Sequence, residues 1–227
     1  MSTTELYDKK YYKDYDLLLN VPVYQRLINK VAELTQPEKT DKILIIGIGT
    51  GNEAKKILEK QKPELIIGVD NSKKMLEIAA KKNPSIQLEN SNLQDFETQQ
   101  KFDKIISIRI LDHLENIEEG ITKITRLIKK NGKIIITLPL GADVKKIWKE
   151  SLTDIKNLIL ELEFKKVTKG IIAGIKTGKH SKKLFEQRKQ NSKKTKQIIN
   201  YIRQNYYVTY KKRVYGEQDI LICAVKK

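Results

Sequence analysis

Residues 43–51 read Ile-Leu-Ile-Ile-Gly-Ile-Gly-Thr-Gly, and no other stretch of the chain restricts its fold as strongly. Four apolar β-formers running into Gly47, Gly49 and Gly51 predict a buried strand of a parallel sheet that stops in a tight turn. Glycine in such a turn lets the backbone take positive φ and lets a ligand approach without meeting a Cβ. Residues 52–60 have helical spacing, so the turn presents helix N-terminal N–H groups to whatever binds there. A second apolar run, Leu65-Ile66-Ile67-Gly68-Val69, ends in Asp70, a carboxylate suited to a ribose diol.

The spacing excludes two familiar readings. A dinucleotide fingerprint needs Gly or Ala at position 52, where Asn52 stands, and a phosphate-cradling P-loop needs Lys-Ser or Lys-Thr in register after Gly51. What remains is G-x-G-x-G, with Asp70 nineteen residues beyond Gly51. Together with Gly68-Val69-Asp70-Asn71-Ser72-Lys73-Lys74-Met75-Leu76, it resembles the class I S-adenosylmethionine-dependent methyltransferases, over most of residues 40–140.

The resemblance implies roles residue by residue. Gly47, Gly49 and Gly51 would pass beneath the methionine part of S-adenosyl-L-methionine, and Asp70 would accept from both ribose hydroxyls. Asn71 and Met75 match positions that flank the adenosine. Glu89-Asn90-Ser91-Asn92-Leu93 matches the third motif, with Ser91-Asn92 for its usual Gly-Asp, which puts Asn92 and Leu93 among the cofactor-binding positions. Asn92 can still accept from the adenine amino group through its amide oxygen, without charge. Asn131-Gly132-Lys133 resembles the turn before strand five, usually Pro-Gly-Gly. Arg109, after strand four, would steady the cofactor carboxylate or an anionic substrate. Asp112-His113-Leu114 stands where the family often has His-His-Leu, so Asp112 and His113 are the candidate catalytic residues.

The sulfonium activates its own methyl group, so the protein must mainly align the acceptor, and a base is needed only for a protonated acceptor. His113 has a suitable intrinsic pKa, although a packing residue at a helix start would read the same. Two departures stand out. Ile45 replaces the acidic residue usual two positions before the first glycine, and Asn92 replaces Asp. Weakened cofactor binding, or a non-catalytic protein that keeps the fold, are both open on those grounds. The Asn/Asp-Pro-Pro-Tyr/Phe motif of amino-directed nucleic-acid methylases is absent, and no cysteine lies where a pyrimidine C5-methylase needs one.

The remaining pattern predicts an α/β fold: a seven-stranded, doubly wound, mostly parallel sheet with an antiparallel last strand, an N-terminal helical cap and a basic helical insertion before the last strand. Expected strands lie at 42–47, 64–70, 85–90, 103–109, 133–138, 164–172 and 218–226. Expected helices lie at 52–61, 73–82 (N-capped by Ser72), 117–130 and 143–163. Residues 1–39 form the cap, with two helical stretches broken near Asn20-Val21-Pro22, and residues 40–227 the cofactor-binding domain. In the family such a cap often closes over the cofactor, which would bring Tyr7, Tyr11, Tyr12 and Tyr15 to the mouth; a solvated amphipathic helix is the plainer reading.

Charge is the second constraint. The chain has 45 basic and 28 acidic residues, a net charge of +17, yet residues 165–213 alone hold 16 basic residues and only Glu186 as an acid. Ordinary exposed helices mix the signs. Lysines interleaved with Tyr201, Tyr206, Tyr207 and Tyr210 in the segment Lys165–Arg213 suit an anionic partner, and the insertion itself spans about 176–205, between the last two expected strands. A small-molecule methyl acceptor and RNA are therefore the two substrate classes. No apolar stretch follows Met1 and no run is long enough to span a bilayer, so a cytoplasmic protein is expected. Cys223, the single cysteine, sits in an apolar run as a small buried hydrophobe, and the two histidines form no metal-ligand cluster.

Overall fold

The computed structural model describes residues 8, 12–141, 153, 189, 191–215 and 217–227. A short helix α1 (Tyr12–Tyr15) runs into a 3-10 turn (Asp16–Asn20), and α2 (Pro22–Thr35) follows. Val21 separates them in an extended conformation (φ −98°, ψ 111°), as a residue before proline prefers. The sheet then alternates with helices: β1 (Lys42–Ile46), α3 (Asn52–Leu58), β2 (Leu65–Asp70), α4 (Lys73–Lys82), β3 (Gln87–Asn90), β4 (Phe102–Ser107), α5 (Ile117–Leu127) and β5 (Ile128–Pro139). After α6 (Thr195–Asn205) come β6 (Tyr206–Val214) and β7 (Asp219–Lys226).

The seven strands lie in the order β3-β2-β1-β4-β5-β7-β6. β7 is antiparallel to both neighbours, and β1 to β5 pair in parallel. Strand alternation splits the core in two. Ile43 and Ile45 of β1 face α2, α3 and α4 with Val31, Ile57 and Leu76. Leu44 and Ile46 belong to the opposite layer, with Ile121 and Ile124 of α5 and Ile198 and Ile202 of α6. Covering a parallel sheet on both faces is what its continuous apolar strands require.

The sequence expectations differ from the structure at strands five and six: the helix expected over 117–130 ends at Leu127, and β5 already begins at Ile128, so Asn131-Gly132-Lys133 lies within the strand instead of before it. Strand six is β6 at Tyr206–Val214; the expected strand at 164–172 and the expected helix at 143–163 fall outside the described residues. β6 is a sheet edge whose side chains are mostly exposed, so Tyr-Tyr-Val-Thr-Tyr-Lys-Lys-Arg-Val has no apolar run to betray it. The insertion expected at about 176–205 therefore precedes strand six instead of separating strands six and seven, and the last basic residues, Lys211 to Arg213, lie in β6 itself. Within that insertion the described helix is α6, with residues 189, 191 and 192 also helical. β4 also stops at Ser107, two residues early, because Arg109 has a left-handed backbone (φ 59°).

Candidate cofactor site

In an open α/β sheet ligands bind beyond the carboxyl ends of the parallel strands. Here that edge gathers the glycine turn after β1, Asp70 at the end of β2, Ser91–Asn92 after β3, and Arg109 to His113 after β4. Gly47, Gly49 and Gly51 have φ of 69°, 54° and 79°. A Cβ on Gly47 would lie 2.0 Å from Ile110 Cδ1, so the first turn residue packs directly against the strand-four loop. At Gly51 a Cβ would lie 2.4 Å from Asn83 Nδ2, the amide that donates to the Gly51 carbonyl at 3.0 Å and ties the turn to the end of α4.

Asp70 joins two parts of the site. Its Oδ2 accepts the Gly49 N–H at 2.8 Å and its Oδ1 accepts the Ser72 N–H at 2.9 Å. Burial raises its carboxyl above the usual aspartate range, and those two N–H bonds pull the other way. A carboxylate offers about four acceptor positions, so beyond the backbone donors Gly49, Ser72 and Asn71 capacity remains for a ribose hydroxyl. The three glycines and this carboxylate thus fit the ribose and methionine parts of S-adenosylmethionine.

The other expected positions divide. Asn71 is exposed beside Asp70, and Met75 is buried, with its N–H held by the Ser72 hydroxyl at 3.2 Å. Asn92 is committed to a local turn: its Oδ1 accepts from Asp95 N at 2.8 Å and its Nδ2 donates to the Asp95 carboxylate at 2.6 Å. The Leu93 side chain belongs to the core. Ile45 is buried in the apolar layer against α2 and α3, a setting in which an acid would need a partner.

Arg109 stacks its guanidinium 3.9 Å from the centre of the Tyr215 ring, and its Nη1 lies 3.7 Å from the buried Asp219 carboxylate. Asp112 and His113 form the 3-10 turn Leu111–His113, and His113 is partly buried. Asn191, within the basic segment, donates to the Leu114 carbonyl at 3.0 Å, which brings that residue beside the Leu111–His113 turn.

Several residues at this edge gave no local signal in the sequence, because their partners are distant in the chain. Asp16 accepts from Thr50 at 2.6 Å, from Asn52 at 3.2 Å and from Lys82 at 3.0 Å. Asp8 accepts from the Ser72 hydroxyl at 2.5 Å. The Tyr15 ring would be 3.6 Å from a Cβ on Gly49, and it meets Tyr24 edge-on, as Tyr24 meets Tyr215. Glu53, buried behind the turn, has its carboxyl pushed up to about 7 by burial. Tyr12 is partly buried; Tyr7 and Tyr11 lie outside the described residues. Among the described residues no His, Cys, Asp or Glu group is arranged to hold a metal, and no helix is long and apolar enough to cross a membrane.

Residues 20–205 match a family described as methyltransferase domain, and the chain belongs to that family. It is 32% identical over 115 residues to an uncharacterized methyltransferase of Anoxybacillus flavithermus, an alignment covering 49% of this chain and 51% of the relative. It is also 32% identical over 114 residues to a ubiquinone biosynthesis O-methyltransferase of Pelagibacter ubique, covering 47% and 45%. The chain thus spans about half the length of the curated relatives it matches. Among solved structures, magnesium protoporphyrin IX methyltransferase from Synechocystis, with bound SAM, superposes with a TM-score of 0.64 at 12% identity, covering 99% of this chain and 95% of that one. That likeness is one of fold.

Proposed function

We propose that this protein is an S-adenosylmethionine-dependent methyltransferase acting on a small-molecule acceptor. The observation that carries the reading is Asp70, which reaches back to the Gly49 N–H and still has acceptor capacity for the ribose. Bound there, S-adenosylmethionine supplies a methyl group already activated by its sulfonium. The work left to the chain is binding, alignment and exclusion of water. Gly47 to Gly51 hold the methionine part, Asn71, Met75, Asn92 and Leu93 border the adenosine, and Arg109 steadies a carboxylate. Asp112 or His113 takes a proton if the acceptor brings one. Residues 1–39 act as a cap on the domain formed by 40–227, supported by the bonds from Asp8 and Asp16 to α4 and the glycine turn.

A small organic acceptor is supported by the relative named for ubiquinone biosynthesis. RNA is a second reading, favoured by the charge of the basic segment and by Asn191 within it, bonded next to His113. Calorimetry with S-adenosylmethionine tests the cofactor: binding is expected, and its absence overturns the enzyme reading. Tritium-labelled cofactor incubated with host extract, then fractionated, tests the acceptor. Label is expected among small molecules and is lost with Asp70→Ala; label in RNA would select the second reading.

A further inference from the structure

We propose that the outer face of α6 and the edge strand β6 is a docking surface for single-stranded RNA. The inference does not depend on the methyl-transfer reading, because none of its residues belongs to the cofactor turn.

Between Glu186 and Glu217 the sequence has nine basic residues and no acid. The structure shows where the described ones lie. Thr195 at the start of α6 hydrogen-bonds the Pro139 carbonyl, and Val214 pairs with Asp219, which in turn pairs with Pro139. The start of α6 and the end of β6 therefore share the carboxyl edge of the sheet. Lys227 N–H donates to Asn205 O at 3.1 Å, which brings the α6–β6 junction to the opposite edge. Helix and strand thus lie antiparallel and side by side. Ile198 and Ile202 face the core, which leaves Lys196, Asn200 and Arg203 as one exposed stripe at helical spacing. Beside it, Lys211 and Arg213 pair with Ile222 and Ile220, so they project on the same sheet face as α6.

On this face Lys196 and Arg203 stand about 10 Å apart along α6, with Lys211 and Arg213 about 7 Å apart beside the start of the helix. Four cations spread in this way match successive phosphates of a strand better than they match one small anion. Amide side chains between the cations, Gln197, Asn200 and Gln204, are exposed and can pair with ribose hydroxyls. Tyr207, 65% exposed with Lys227 5.3 Å from its ring centre, alternates with the core-facing Tyr206 and so stands on the opposite face of β6, outside this patch. Only Tyr207 and Val208 are large exposed hydrophobics among the described residues, too few to favour insertion into a lipid surface.

The test uses fluorescence anisotropy of a labelled single-stranded RNA of about 12 nucleotides, long enough to span the patch. Binding is expected, with log K falling linearly in log salt by about 0.7 for each phosphate contact. The K196Q/R203Q/K211Q/R213Q variant should bind at least tenfold more weakly and show a shallower salt slope. Y207A should bind as the wild type does, because Tyr207 stands on the other sheet face. A thermal shift with S-adenosylhomocysteine, equal in wild type and variants, shows that the fold is intact. Absence of RNA binding by the wild type, equal binding by the quadruple variant, or capture by phosphatidylcholine–phosphatidylserine vesicles without RNA binding each overturns the proposal.

Discussion

Asp70 and Glu53 are two acids at one site with different duties. Asp70 is bonded to backbone N–H groups on both oxygens, so Asp70→Asn places an amide N–H against one of those donors. Hydrogen bonds to a charged group contribute about 1.5–3 kcal/mol, so cofactor affinity should fall roughly ten- to hundredfold by calorimetry. For Glu53 burial outweighs its backbone hydrogen bond and the Lys82 charge, and lifts its carboxyl from the ordinary 4.5 to about 7. Between those two values the folded protein holds a proton that the unfolded chain has released, so stability falls as pH rises through that window. Below it both states are protonated, and above it the loss is complete. Thermal melts of Glu53→Gln against wild type should show this decline flattened in the variant.

At the level of elements, what repeats along the chain was legible and what pairs across it was not. The strands β1, β2 and β7 and the helix α4 carry their apolar periods and, for α4, the Ser72 cap in the local sequence. The carboxylate and glycines of the candidate site were legible for the same reason, since each ends a strand or opens a turn. Asp8, Asp16 and Lys82 were not, because their partners are up to 66 residues away. Nor was the left-handed backbone of Arg109, a residue type that does not mark it. β6 escaped because an edge strand need not bury either face.

Lys104 shows an element held at the opposite edge. Its ammonium is buried between the Asp41 carboxylate and the Gln36 carbonyl just past the end of α2, and Lys133 donates to the Leu34 carbonyl at 3.2 Å. These cations satisfy carbonyls that a helix C-terminus leaves open. Lys104→Ala strands a buried carboxylate, which typically costs about 3–5 kcal/mol, and urea denaturation should record that loss. Cofactor affinity should stay unchanged, because α2 ends away from the glycine turn.

For the whole molecule, the position of β7 decides how the sheet opens. Cys223 lies in β7 with Ile135 on one side and Tyr210 on the other, and burial pushes its thiol up. A thiol reagent should therefore label nothing under native conditions and one equivalent in denaturant. The labelling rate at intermediate urea then reports detachment of the sheet edge.

The same placement has a consequence for synthesis. β7 is late in the chain but interior in the sheet, so β5 and β6 cannot join until it has been made. A growing polypeptide therefore carries the Ile134-Ile135-Ile136 ladder open along one side after every parallel strand from β1 to β5 already exists. During that interval the nascent protein presents a ready template for its neighbours on the same message, and the last strand to emerge is the one that shields it.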